Sequence, residues 1–355
     1  PSKEKSNIQR ISIAPGYEIS RVIRGGWQLA GGHGAINEET AIEDMVAFAD
    51  AGITTFDCAD IYTGVEDLIG RFRLRYRDMQ GQAALDRIRV HTKFVPDLGI
   101  LPTITKAYVE GVIDTSRKRL NMERLDLVQF HWWDYEMPAW LETLRWLKEL
   151  QTDGRIDKIS ATNFDSDHVK AMLDGGIPLT SLQLQYSLLD RRPEKRMVDL
   201  AARHDFALFC YGTVAGGFLS DRWLGKMEPK HPLENRSLTK YKLIIDDLGG
   251  WDLFQALLST LRKVADRHAT DIATIASAAM LRRPGVTAVI VGARNRDHLT
   301  SNLAISNVVL SDADLAEIEA ALDGARELEG DVYTLERDRT GRHGSIMKYN
   351  LNKGE

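Results

Sequence analysis

From Ser20 onward, short apolar runs alternate with longer stretches whose apolar residues recur at three- and four-residue spacing, the pattern of strands succeeded by amphipathic helices. The first unit joins RVIRGGWQL to ETAIEDMVAFADAG, and the second joins TTFDCAD to VEDLIGRFRLRYRD. IRVHTKF leads into a helix from Thr105 to Asn121, and LDLVQFH into one from Pro138 to Thr152. KISATN then precedes SDHVKAMLDGG, LQLQYS precedes EKRMVDLAARHD, ALFCYG precedes a long insert and a helix, and VTAVIVGA precedes RDHLTSNLAI. Continuously apolar strands, each followed by a helix, belong to a parallel sheet covered on its outer face, and eight such units predict a closed (β/α)8 TIM barrel. A doubly wound sheet is disfavoured because no G-x-G-x-x-G follows the first strand: Gly32-His33-Gly34 runs on to Asn37 where a third glycine belongs.

A barrel with insertions accounts for all 355 residues as a single domain, 1–355. Residues 213–250 form a Gly- and charge-containing insert after the seventh strand, and 329–355 form a polar tail beyond the helix SDADLAEIEAALDGAREL. Either could cover the barrel mouth; a solvated tail is the plain alternative. The composition, 43% hydrophobic and 27% charged, is that of a globular protein and excludes disordered and fibrous classes. A net charge of −5 offers no basic footprint for nucleic acid or an anionic membrane. No apolar run approaches the ~20 residues of a spanning helix, and PSKEKSNIQR has no apolar core of an export signal, so the expected location is the cytoplasm. Cys58 and Cys210 sit in apolar runs outside any CxxC or Cys/His cluster and read as buried thiols; no metal site is expected.

Active sites of such barrels lie at the C-terminal ends of the strands, where a polar residue ending an apolar run has a use that offsets its cost in the core. Asp57 ends TTFD, Tyr62 follows in the loop, Lys93 ends VHTK and His131 ends DLVQFH. These come from consecutive strands, spaced about 4.8 Å apart, so an acid, a phenol, an amine and an imidazole can converge. A phenol with an ordinary pKa of about 10 needs a neighbouring positive charge to serve as a proton donor near neutrality. An ammonium ~4 Å away supplies about 4 kcal/mol at an effective dielectric of ~20, before Asp57 offsets part of it. A hydrolase with paired carboxylates is disfavoured because no second strand-end acid stands near Asp57.

In this order the residues resemble the aldo-keto reductase superfamily. FDCADIYTGVEDLIGR is similar to that family's FDTAxxYGxxExxLG, followed by its TK lysine and QFH histidine, and the likeness runs from GGWQ at Gly25 through SATNF, LQLQYS, FCYG and IVGARNRDHLTSNL. The resemblance implies reduction of aldehydes and ketones with NADPH, or with NADH: Tyr62 as acid, Lys93 tuning it, Asp57 holding Lys93, and His131 donating a hydrogen bond to the carbonyl. It also implies cofactor contacts at Gly26, Trp27 and Asp57, with Asn163 and Gln183 on the nicotinamide carboxamide. Thr162 stands where the family's Ser precedes that Asn, Tyr211 is expected to stack on the nicotinamide ring, and Gly212, Val214 and Gly216 to line the pyrophosphate path. Arg294 is expected on a 2′-phosphate and Asn302 on adenine, while a frequent Lys-Ser pair is Gly292-Ala293 here and a helix Arg is His298. Trp27, Phe94, Trp132 and Trp133 are expected to wall a pocket for a small-molecule carbonyl substrate. An NAD-dependent sugar or alcohol dehydrogenase, and a redox-sensing binding protein like the family's potassium-channel β-subunits, are the alternatives.

Overall fold

The computed structural model describes residues 8–30 and 36–348; the Gly32-His33-Gly34 stretch and tail positions 349–355 lie outside the described residues. Two strands precede the barrel: β1 (Arg10–Ala14) and β2 (Tyr17–Ser20) pair antiparallel around Pro15-Gly16. Gly16 sits at φ 71°, a left-handed conformation that costs glycine no Cβ clash. Periodicity read from Ser20 misses this hairpin; the Pro-Gly turn between two short runs is the signal that finds it.

The barrel strands are β3 (Val22–Gly25), β4 (Thr55–Asp57), β5 (Arg89–Phe94), β6 (Leu125–Phe130), β7 (Ile156–Thr162), β8 (Ser181–Gln185), β9 (Ala207–Tyr211) and β10 (Val286–Gly292). They are parallel and close in the order β10-β3-β4-β5-β6-β7-β8-β9, which is the (β/α)8 barrel that the eight units predict. The helices between them begin where polar side chains satisfy free backbone amides: Asn37, Thr105 and Asp165 accept from the N–H groups of Thr40, Tyr108 and His168. Among the described residues no helix is long and apolar enough to cross a membrane.

The two ends of the barrel differ. At the N-terminal end, Tyr17 and Ile19 of the hairpin pack on Ile23, Leu127, Phe209 and Ala288 and close the floor. At the other end the insert and the tail build a rim. The insert contains the helix Arg236–Leu248, whose Tyr241 lies so close to the loop after β9 that a Cβ on Gly212 would sit 2.3 Å from its hydroxyl. The described part of the tail lies against the mouth, with Tyr333, Ile346, Met347 and Lys348 in the cavity lining, and is tied down by charge. Arg192, 1% exposed in its side chain, bonds Asp190 at 2.8 Å and tail residue Glu336 at 2.8 Å. Arg337 donates to the carbonyls of Trp132, Trp133 and Asn163 at 2.6, 3.1 and 2.9 Å and lies over the Tyr135 ring. Arg236 of the insert also donates to the Ile346 carbonyl.

Candidate active site

Register brings the polar strand ends together. Gly25 pairs with Asp57 across β3 and β4, Asp57 with His91 across β4 and β5, and Lys93 with Gln129 across β5 and β6. Side chains alternate along a strand, so His91 and Lys93 share the interior face, as do Leu127 and Gln129. The Lys93 ammonium lies 2.6 Å from Asp57 Oδ2, and donates to the Cys58 carbonyl at 3.0 Å and to the Tyr62 hydroxyl at 3.3 Å. Because Tyr62 Oη accepts from Lys93, its own proton is left to point elsewhere.

Asp57 is itself held from below: its Oδ1 accepts from Gln129 Nε2 at 3.0 Å and from Gln183 Nε2 at 2.7 Å. Desolvation works against the Lys93 ammonium, but the facing carboxylate of Asp57 and the Tyr62 oxygen outweigh it and hold the lysine above its ordinary value. For Tyr62, desolvation is the largest influence and raises the phenol, with Lys93 pulling the other way. The net direction is therefore upward, unlike the acidified phenol that the spacing suggests, because burial outweighs the pull of Lys93 and Asp57 adds to it.

His131 is buried, and desolvation, with Arg337 next, lowers its ring to about 3, so it is neutral. Its Nδ1 lies 3.2 Å from the Thr162 carbonyl oxygen, which can only accept, so the ring proton sits on Nδ1. Nε2 has no hydrogen-bond partner among the described residues and offers a lone pair. The expected donor to a carbonyl is thus, in this geometry, an acceptor suited to an alcohol hydroxyl.

A cavity of about 670 Å³ opens above these groups and runs along the rim. Asp57, Tyr62, Lys93 and His131 all line it, as do Trp27, Thr162, Asn163, Gln183, Tyr211, Gly212, Val214, Gly216, Gly292, His298 and Asn302. Gly26, Ala293 and Arg294 do not. A Cβ on Gly26 would lie 2.7 Å from the Asp57 carbonyl oxygen, so this glycine serves strand packing. Ala293 is buried and accepts from Arg24 through its carbonyl. At the far end the lining comes instead from residues such as Asp271, Ser301 and Asn302, while the neighbouring Arg296 pairs with Asp44 at 2.6 Å.

Two of the four expected wall residues face the wrong way. Phe94 follows Lys93, so alternation turns it outward, where it is buried against Phe130 and Tyr108. Trp132 follows His131, is fully buried on Phe130, and donates to the Met137 carbonyl at 3.2 Å. Trp27 and Trp133 do line the cavity, Trp133 edge-on to His131 at 4.3 Å. The sequence reading missed Gln129, whose position two residues before His131 puts it on the same face. It also missed Tyr333, Arg236 and Lys240 in the lining, for which tail and insert carry no periodic signal. Among the described residues no group of three or more His, Cys, Asp or Glu could hold a metal ion.

Residues 21–323 match the family described as Aldo/keto reductase family. The chain is 26% identical over 297 residues to flagellar radial spoke protein 5 of Chlamydomonas reinhardtii, covering 66% of this chain and 55% of that protein, so it spans about half the length of that relative. It is 26% identical to aldo-keto reductase YhdN of Bacillus subtilis (strain 168), with 89% of this chain and 94% of the relative covered. The structure of a glycerol dehydrogenase from Gluconobacter oxydans superimposes with a TM-score of 0.73 at 22% identity, covering 92% of this chain and 98% of the other, a likeness of fold. With the barrel closed, the strand-end residues gathered at its mouth, and most of its length within one family pattern, this chain belongs to the aldo/keto reductase family of oxidoreductases.

Proposed function

We propose that the chain interconverts aldehydes or ketones and alcohols, with Tyr62 as the proton donor in reduction and a nicotinamide dinucleotide as the hydride source. The observation that carries this reading is the contact of the Lys93 ammonium with both Asp57 and the Tyr62 hydroxyl on the wall of the cavity. When bound, the dinucleotide would supply the hydride for the carbonyl carbon. Tyr62 gives its proton to the carbonyl oxygen, and the phenolate that remains is stabilised by the adjacent ammonium. The alcohol hydroxyl so formed has an acceptor in His131 Nε2. Desolvation around these groups strengthens each of those interactions.

The donor set suits such a cofactor. Asn302 Nδ2 is buried without a hydrogen-bond partner in the far part of the cavity, ready for a heteroaromatic acceptor such as adenine. Asn163 and Gln183 would take the carboxamide, the Tyr211 ring the nicotinamide face, and the backbone at Gly212, Val214 and Gly216 the pyrophosphate. NADPH is the first cofactor to test because of Arg294, and NADH the second because Arg294 lies off the cavity wall. On the substrate side, Trp27, Trp133 and tail residue Tyr333 make an aromatic wall that suits a carbonyl with an aryl or hydrocarbon portion, with the tail as a fixed cover.

The test is a panel of aldehydes, ketones and sugars assayed for NADPH and NADH oxidation, with the corresponding alcohols assayed in reverse. The reading expects carbonyl-dependent turnover with at least one dinucleotide and an aryl or alkyl aldehyde. Absence of turnover in both directions across the panel, from folded protein, would overturn it.

A further inference from the structure

Behind the Tyr62–Lys93 pair lies a buried carboxylate that the proposed chemistry does not use. Glu66 stands in the first turn of the helix Val65–Gln80, just after the Tyr62 loop, with its side chain 1% exposed. Its Oε2 accepts from the Thr92 hydroxyl at 2.7 Å, and its Oε1 accepts from Arg119 Nη1 at 3.3 Å. Thr92 precedes Lys93 on β5, so alternation turns Thr92 toward the helices while Lys93 points inward. Arg119 belongs to the last turn of the helix Lys106–Leu120 and also donates to the Asp60 carbonyl at 3.4 Å. Gly70, one turn beyond Glu66, makes this approach possible: a Cβ there would overlap the Arg119 carbonyl oxygen.

The loop that carries Tyr62 is therefore fixed at two points on either side of the tyrosine. Before it, the backbone continues along β5: Cys58 N–H donates to the His91 carbonyl at 2.8 Å and Asp60 N–H to the Lys93 carbonyl at 3.3 Å. The Asp60 carboxylate also accepts from the Val95 N–H, 3.3 Å from each oxygen. After it, Glu66 ties the start of the helix to Thr92. Arg119 bridges the two points, since one nitrogen serves both the Asp60 carbonyl and Glu66. Neither end of the loop can slide along β5 without breaking buried bonds. The spacing matters because the 3.3 Å contact between Lys93 and Tyr62 is already long for a hydrogen bond, and a further displacement would forfeit it.

We propose that Thr92, Glu66 and Arg119 are positioning residues for the reaction: they hold the Tyr62 loop against β5 at the distance from which Lys93 stabilises the phenolate. The inference rests on the proposed function, in which Tyr62 is the proton donor. Lys93, Asp57 and Cys58 are the titratable groups that act on Tyr62, and the test substitutes none of them.

Thr92→Val removes the hydroxyl while keeping shape and charge, Thr92→Ser restores the hydroxyl, and Arg119→Met cuts the second arm at a partly exposed position. Each is assayed for kcat and KM of carbonyl reduction and for dinucleotide affinity. The Tyr62 signal is followed by 19F NMR of 3-fluorotyrosine-labelled protein, assigned by its loss in Tyr62→Phe. Thr92→Val should lower kcat about tenfold and Arg119→Met about threefold, with KM and dinucleotide affinity within about twofold of wild type. In Thr92→Val the Tyr62 signal should shift or split, and Thr92→Ser should return both kcat and signal to wild type. An unaltered kcat with an unmoved Tyr62 signal in Thr92→Val would overturn the inference while leaving the proposed function standing. A loss shared equally by kcat and dinucleotide affinity, or one that Thr92→Ser fails to rescue, would show a general disturbance and overturn it too. Wild type without turnover would overturn the proposed function and this inference with it.

Discussion

Two buried ion clusters face each other across the barrel mouth, and they do different things. The Asp190–Arg192–Glu336 cluster is built from residues that do not line the cavity: the Arg192 side chain bonds Asp190 at 3.0 and 2.8 Å and Glu336 at 3.0 and 2.8 Å, and Gln185 adds a donor to Asp190 at 2.7 Å. Burial opposes the charge on Glu336, but the guanidinium outweighs it and holds that carboxyl down at about 2. This cluster fastens the tail. The Asp57–Lys93 cluster is as well buried, yet the ammonium spends one donor on a phenol whose proton is directed away from it, on the cavity wall. Burial of charge is common to both; an outlet to a titratable group beside open space belongs to one.

The buried histidines teach the same lesson. His91 and His131 are both lowered to about 3, in each case first by desolvation. His91, two residues before Lys93, lies under the hairpin plug, stacked on Phe209 at 5.2 Å with neither nitrogen hydrogen-bonded among the described residues. His131 has one nitrogen anchored and the other at the cavity. A shifted pKa alone does not separate a packing residue from a working one.

The comparison breaks most visibly at Lys93. Lys93→Met should lower the rate of carbonyl reduction by about 10²- to 10⁴-fold, measured as kcat alongside dinucleotide affinity, which should stay near wild type. Arg192→Met should act on stability instead. It strands two buried carboxylates and should cost about 3–5 kcal/mol in denaturant unfolding, with any kinetic change falling on KM through the loosened tail. A fall in kcat as large as that of Lys93→Met would remove the distinction between the clusters.

Smaller effects sharpen it. Tyr62 lies above the ordinary tyrosine value of about 10, and a proton donor is competent only below its pKa. His131 is already neutral above about 3. The kcat of reduction should therefore be level from about pH 5 to 9 and decline only in stronger alkali, and an inflection near the ordinary histidine value of about 6.5 would show His131 titrating. Smallest of all, His91→Phe should change unfolding stability by no more than about 1.5 kcal/mol and leave kcat unaltered, because no hydrogen bond is lost with the imidazole. A catalytic defect in His91→Phe would mean that the floor and the mouth communicate.

Much of this was readable in the chain because alternation along a strand is a geometric rule. Asp57, Lys93 and His131 could be placed at strand ends, and the strands ordered, before any coordinates. The same rule, applied to their neighbours, would have turned Phe94 and Trp132 outward; grouping them with the pocket by adjacency in sequence put them on the wrong face. Gln129 was legible on parity but hidden inside a run read as apolar. What no local pattern carries is the tail, which is held by long-range bonds such as that of Glu336 to Arg192, 144 residues away, and the polarity of His131, which is decided by a backbone carbonyl on the next strand. The direction of the Tyr62 shift is a balance of burial against two opposite charges, and only the assembled site sets that balance.

The account stands on Tyr62 as the proton donor, and Tyr62→Phe tests it most directly when single-turnover reduction and dinucleotide binding are measured on the same sample. The prediction is dinucleotide affinity within about threefold of wild type and a reduction rate at least about 10³-fold slower. A variant that binds the dinucleotide and reduces the carbonyl at the wild-type rate would contradict the account.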